Sequence, residues 1–180
     1  TEGDGRDWRQ TVGEQTRRMR ASIDRYLAVG VAADPRQRTP VQPVVAALAR
    51  VMQRVHAGRA LAFDLDGCGG EVFAGAREDL EEMLGNLLDN AARWATARIA
   101  VSATREGDTL RIVVADDGPG LPPEALARVV ERRVRLDERA SSSGLGLAIV
   151  SDIADSYAGR LELANGGAGL RATLVLPAGS

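Results

Sequence analysis

The sequence predicts an α/β domain, a two-layer sandwich in which helices cover one face of a β-sheet, preceded by a separate N-terminal helix. Three observations predict it. Segments of helical and of strand periodicity are mixed along the chain. Two pairs of alternating apolar runs are joined by short glycine turns, around Glu106-Gly107-Asp108 and around Gly166-Gly167. The segment Arg77–Thr96 carries the strongest amphipathic helical pattern in the chain.

The elements follow in order. From Asp7 to Val31, Trp8, Val12, Met19, Ile23 and Tyr26, with Gln15 filling the gap, step by threes and fours along one helical seam, opposite a face rich in arginine. Residues 1–33 are read as a helix that needs a partner to bury its seam, either the body of the domain or a second chain, 34–39 as a polar, proline-containing linker and 40–180 as one folded domain. A helix is expected over Val44–Val55, with Pro43 in its first turn, and a strand over Arg59–Asp66. After the long helix come two hairpin strands, Arg98–Arg105 and Thr109–Ala115. A loop, Asp-Asp-Gly-Pro-Gly, then opens a short helix over 123–132. A polar stretch leads to a helix from Gly144 to Tyr157, and strands Arg160–Ala164 and Leu170–Leu176 close the domain.

Composition narrows the function. The 180 residues suffice for one well-buried core without covalent staples. A single cysteine, Cys68, excludes a disulfide framework, and a single histidine, His56, excludes a two-histidine metal site. A net charge of −2 argues against nucleic acid as a partner. No run of 18 apolar residues occurs, so this stretch is not expected to enter a membrane. All 23 basic residues are arginine, which removes the P-loop lysine and the strand lysine of serine/threonine kinases. The sequence begins TEGDGRDW, without methionine or a signal-peptide pattern, and reads as an excised fragment.

Three elements carry chemistry. Projected at 100° per residue with Asn86 at zero, Asn90 falls at about 40°, Glu82 at about −40° and Arg93 at about −20°. These four polar groups share a stripe bordering the apolar face made by Leu80, Met83, Leu84, Leu87, Leu88, Ala91 and Ala95. Such a stripe suits a cleft wall, where neutral amide oxygens can help hold a hard cation already shared with phosphates. Trp94, at about 80°, sits at its edge and can lie against a planar ring. An ordinary solvated polar face would look the same. The second element is Asp116-Asp117-Gly118-Pro119-Gly120, directly after a strand, where a carboxylate can accept from an exocyclic amine; a plain turn is the alternative. The third is Gly144-Leu145-Gly146-Leu147-Ala148-Ile149 at a helix start, an anion site or an ordinary cap. Arg128, Arg132, Arg133, Arg135 and Arg139 precede it, as does Ser141-Ser142-Ser143.

In combination the three are far more specific. E-x-x-x-N-L-L-D-N-A, D-x-G-x-G and G-x-G-L-A-I, in this order and spacing, resemble the N, G1 and G2 boxes of the ATP-binding catalytic domain of two-component sensor histidine kinases. Those domains belong to the wider Bergerat-fold (GHKL) group, with type II topoisomerases, Hsp90-type chaperones and MutL-type repair proteins. The resemblance covers about Arg38 to Pro177. It implies a mixed, mainly antiparallel sheet. It also implies a protein-histidine kinase that binds ATP and magnesium and transfers the γ-phosphoryl group to a histidine of a dimerisation domain. Asn90 would hold the magnesium, and Asn86 would support the phosphates or the metal shell. Glu82 would polarise the accepting histidine. Arg93 would face phosphate, and Trp94 would lie beside the adenine. Asp116 would bind the adenine amine in a pocket shaped by Gly118 and Gly120. Arg135 would reach the γ-phosphate from a lid, and Gly144, Leu145, Gly146 and Leu147 would form the phosphate-side helix start.

The implied partners are the protein's own phospho-accepting dimerisation domain, a second copy in a homodimer and a response regulator. The implied location is the cytoplasmic portion of an inner-membrane protein. The lid carries serines where many relatives have glycine. His56 lacks the H-[ED]-x-x-[TN]-P context of an acceptor, so self-phosphorylation at the usual site is not expected here. A degenerate, nucleotide-binding interaction module and a Bergerat ATPase or anti-sigma serine kinase stand as alternatives.

Overall fold

In the computed structural model, residues 37–122, 124 and 144–180 are described. The order is β1 (Thr39–Pro40), α1 (Val41–Val55), β2 (Ala62–Cys68), β3 (Val72–Phe73), α2 (Arg77–Trp94), β4 (Arg98–Glu106), β5 (Thr109–Asp116), α3 (Gly144–Ser156), β6 (Arg160–Gly166) and β7 (Gly169–Pro177). Five strands form one sheet in the order β2-β4-β5-β7-β6, and β1 pairs with β3 in a separate two-stranded ribbon. Among the described strands only the β2–β4 pairing is parallel; β4–β5, β5–β7 and β6–β7 are antiparallel. This is the mixed, mainly antiparallel sheet that the sequence and its resemblance implied.

Period-two alternation decides which face is buried. Ile99, Val101 and Ala103 of β4, Leu110, Ile112 and Val114 of β5, and Ala172, Leu174 and Leu176 of β7 point to one side and are almost fully buried. They meet each other in register: Val101 opposite Val114, Ile112 opposite Leu174, Leu110 opposite Leu176. The apolar faces of α1 (Val41, Val44, Val45), α2 (Leu80, Met83, Leu84, Leu87, Leu88) and α3 (Val150, Ile153, Ala154) close over them in one core. Each fully buried Leu, Ile, Val or Met among them stabilises the fold by about 1.5–3 kcal/mol relative to exposure. The opposite sheet face is laced by charge instead: Arg111 and Arg160 both pair with Glu162, at 3.2 and 2.7 Å.

Several sequence expectations shift. Thr39, assigned to the linker, starts β1 with Pro40, and the β1–β3 ribbon was not foreseen because two-residue strands have no period. Its backbone is fixed by tertiary contacts, including the Thr39 hydroxyl donating to the Gly75 carbonyl at 2.8 Å. The strand expected over Arg59–Asp66 runs from Ala62 to Cys68, because its neighbour in the sheet begins at Arg98, opposite Ala62. Helix α1 starts three residues earlier than expected, with Pro43 still in the first turn. Helix α2 ends at Trp94, where Ala95 leaves the helical conformation. The N-terminal seam, residues 34–36 of the linker, and the helix expected over 123–132 apart from Glu124 lie outside the described residues, as do the arginines and serines before Gly144.

Candidate functional site

Helix α2 is the wall of the site, and both of its ends are held by side chains from elsewhere. At its start, Glu78 and Asp79 complement the helix dipole. The Tyr157 hydroxyl donates to Asp79 Oδ2 at 2.6 Å and accepts from the Ala76 N–H at 3.1 Å. Burial and the neighbouring Asp79 carboxylate push that phenol up to about 12, so it keeps its proton and remains a donor. Its ring packs edge-on against Phe73, centroids 4.8 Å apart. At the far end the Arg59 guanidinium donates to the carbonyls of Ala92 (2.6 Å), Arg93 (2.8 Å) and Ala95. A positive fork thus closes the negative end of the helix.

Between these clamps lie the predicted polar residues. Glu82, Asn86 and Asn90 are all half-buried on α2. The Asn86 amide donates to the Glu82 carbonyl at 2.8 Å, which turns its oxygen outward from its own helix. That oxygen abuts the start of α3, 3.0 Å from where a Cβ on Gly146 would stand. Among the described residues Asn90 makes no side-chain hydrogen bond, so its amide oxygen is available to a ligand. Arg93 is exposed and paired with Asp89 Oδ2 at 2.9 Å, while Asp89 Oδ1 lies 3.6 Å from His56 Nε2. His56 caps the C-terminal end of α1. Trp94 is 55% exposed at the end of α2.

Asp116 is the last residue of β5. Its Oδ1 accepts from the Gly118 N–H at 2.9 Å and from the Leu170 N–H at 3.3 Å. Both bonds fall on one oxygen, which fixes the carboxylate and leaves Oδ2 for a ligand's donor. Gly118 passes so close to the Trp94 carbonyl that a Cβ there would collide with it. Gly120 turns at φ +70°, a conformation that favours glycine. Gly144 and Leu145 begin α3; Gly146 and Leu147 follow, both half-buried, with Leu147 packed against the core. Arg135 lies outside the described residues.

Besides Tyr157, three residues that order this site were missed from sequence. Arg59 is one. Asn165, in the β6–β7 hairpin, is another; its amide holds both backbone groups of Leu121. Asp117 completes the set. Its Oδ1 accepts from the N–H groups of Thr96 (2.7 Å) and Ala97 (3.0 Å), and its carbonyl accepts from the Thr96 hydroxyl. In the sequence Asp116 stands out as a ligand group, whereas Asp117 reads as plain turn chemistry. Its partners lie 20 and 21 residues back in the chain, where α2 gives way to β4. Those backbone donors hold the Asp117 carboxyl below the usual carboxylate value of 3.8. Its contribution to stability is therefore complete above that value and lost as pH falls through the lower, folded-state value. We expect Asp117→Ala to melt lower than the parent at pH 7, and the gap to shrink on acidification below about pH 4. Thermal melts across that range check it.

Asn86 against Gly146 and Trp94 against Gly118 bring three sequence-distant motifs together, and the Leu170 N–H of β7 holds Asp116 beside them. A helix bearing paired asparagines, a carboxylate with one oxygen free of protein hydrogen bonds and a glycine-opened helix start make a candidate site of the kind found in ATP-binding domains of the histidine kinase and ATPase class. The chain belongs to the histidine kinase-, DNA gyrase B-, and HSP90-like ATPase family, whose pattern matches residues 75–180. It is 48% identical over 102 residues to the sensor protein kinase CarS of Pseudomonas aeruginosa, covering 56% of this chain and 23% of that protein. It is 32% identical over 126 residues to the virulence sensor histidine kinase PhoQ of Salmonella typhimurium, covering 70% of this chain and 26% of PhoQ. The chain thus spans about a quarter of the length of these curated relatives. Among solved structures it is similar to the mycobacterial sensor histidine kinase MprB (TM-score 0.63, 26% identity, 79% of this chain and 97% of that one). It is also similar to full-length ShkA in complex with AMPPNP (TM-score 0.59, 27% identity, 83% of this chain and 32% of that one). The fold is that of histidine kinase catalytic domains.

Proposed function

We propose that this chain binds magnesium-ATP between α2, the Asp116–Gly120 loop and the start of α3, and serves as the catalytic domain of a bacterial sensor histidine kinase. The single observation that carries this reading is the convergence just described, with Asp116 Oδ2 and the Asn90 amide left open on its two sides. Asp116 accepts from the adenine amine, and Gly118 and Gly120 let the base approach the backbone. Trp94 offers an exposed ring beside the base. The N–H groups that open α3, from Gly144 through Leu147, receive phosphate oxygens at the positive end of a helix dipole.

The donor set fits magnesium: a neutral amide oxygen on Asn90, with Asn86 beside it, completing a shell that phosphates and water mostly supply. When bound, the metal neutralises charge on the phosphates. The chain's own part is positioning and electrostatics, since phosphoryl transfer asks little covalent work of the protein. Glu82, one turn before Asn86, polarises the accepting histidine. Arg93 turns from Asp89 to a phosphate, and Arg135 approaches the γ-phosphate from the segment before α3. The accepting histidine belongs to a dimerisation domain, of which residues 1–33 form part, joined through 34–39 to the catalytic domain at 40–180. The full protein is a homodimer that passes the phosphoryl group to a response regulator, and this domain is its cytoplasmic portion at an inner membrane. Among the described residues no helix is long and apolar enough to cross a membrane.

Calorimetric titration of ATP with and without magnesium tests the reading. The parent should bind ATP in a magnesium-dependent way, and Asn90→Ala should lose that dependence and at least tenfold in affinity. No binding to the parent would overturn the proposal. Steady phosphate release without any histidine partner would favour an ATPase instead.

A further inference from the structure

The β6–β7 hairpin lies at the far edge of the sheet, in sequence some 45 residues beyond the Asp116–Gly120 loop, yet one of its side chains grips that loop. The Asn165 Oδ1 accepts from the Leu121 N–H at 2.9 Å, and its Nδ2 donates to the Leu121 carbonyl at 2.8 Å. The amide therefore satisfies both backbone groups of one residue, as a neighbouring strand would. It also packs on Gly120, where a Cβ would stand 2.8 Å from Oδ1 at φ +70°. The other end of the loop is anchored independently by Asp117 on Thr96 and Ala97. Between the anchors stand Gly118, Pro119 and Gly120, two of which carry no side chain to hold them. An untethered Gly-Pro-Gly run would sample many conformations, and each would have to be given up when a ligand binds.

We propose that Asn165 is a positioning residue for nucleotide binding: it fixes the Gly120–Leu121 exit of the base-side loop in the binding conformation without touching the nucleotide. The inference rests on the nucleotide-binding reading above. Asn165 is exposed, so water can replace its bonds when it is removed, and the loss falls on loop order more than on the core. Asn165→Ala should then weaken ATP and ADP by the same factor, about tenfold, because the base-side loop serves both equally. Binding stoichiometry should stay at the parent's value, since every molecule remains folded. Asn165→Asp keeps the acceptor for the Leu121 N–H but sets a second oxygen against the Leu121 carbonyl. It should weaken both nucleotides in the same direction, and it carries the test by itself if the alanine variant fails to fold.

Calorimetric titration of both nucleotides into the parent and the two variants, with thermal melts alongside, decides it. Equal affinity in parent and variants overturns the role, even if the melting temperature falls. Reduced stoichiometry at unchanged affinity overturns it too, because that is the mark of a residue that only holds the fold. A parent that binds neither nucleotide overturns the functional reading itself, and this inference with it.

Discussion

Asp116→Asn should weaken ATP binding about a hundredfold while leaving the fold in place. Asparagine keeps a carbonyl oxygen for the Gly118 and Leu170 N–H groups, which now meet on Asp116 Oδ1 at 2.9 and 3.3 Å. What changes is the other atom. A carboxylate oxygen becomes an NH2 donor and, in the proposed binding pose, would face the donor amine of adenine, so an attraction would turn into a repulsion. A hydrogen bond to a charged group contributes about 1.5–3 kcal/mol. Adding the misdirected donor brings the expected loss to about 2.7 kcal/mol, and each 1.4 kcal/mol is tenfold in affinity. Titration of ATP into the variant measures it, and an unchanged far-ultraviolet spectrum and melting temperature confirm that the fold persists. A melting temperature lowered by several degrees, with affinity kept in the folded fraction, would instead mark Asp116 as a structural residue.

Gly169→Ala is expected to cost about 3 kcal/mol of stability and lower the melting temperature by about 6–12 °C. Gly169 opens β7 at φ +121°, a conformation essentially closed to residues with a side chain. A Cβ there would run into the Asp116 carbonyl group, and would lie 2.8 Å from Asp116 Oδ1. Backbone has to shift, and the backbone that shifts is the one that presents Asp116. Loss of ATP affinity should therefore accompany the loss of stability. Gly167, two residues earlier in the same hairpin turn, has open space around it. Gly167→Ala should be neutral to within about 0.5 kcal/mol. Melting the two variants side by side separates a general intolerance of the hairpin from the specific contact at Gly169.

The sequence by itself determined the layers of this protein and the motifs of its site. Alternation of Ile99, Val101, Ala103 and of Leu110, Ile112, Val114 chose the buried face of the sheet, because strand geometry sends successive side chains to opposite sides. The 3.6-residue period of α2 put Leu80, Met83, Leu84, Leu87 and Leu88 in the core and Glu82, Asn86 and Asn90 on its border. The order and spacing of three polar and glycine-rich motifs resemble those of the ATPase family to which the chain belongs. Each of these signals lies in the order and spacing of residues along the chain, and so it is legible without the fold.

The tertiary structure alone decided which side chains hold that machinery in place. Arg59 closes the end of α2 from 33 to 36 residues away. Tyr157 secures its start from about 80 residues away. Asn165 grips Leu121, and Asp117 reaches back to Thr96 and Ala97. None of these residues has a distinctive neighbourhood in the chain. A lone arginine, a tyrosine at a helix end and an asparagine in a glycine turn are each ordinary. Apart from the Asp79 carboxylate that Tyr157 also meets, their partners are backbone N–H and C=O groups, which every residue carries and no sequence pattern distinguishes. Only the folded chain determines which of those groups are left unpaired and within reach.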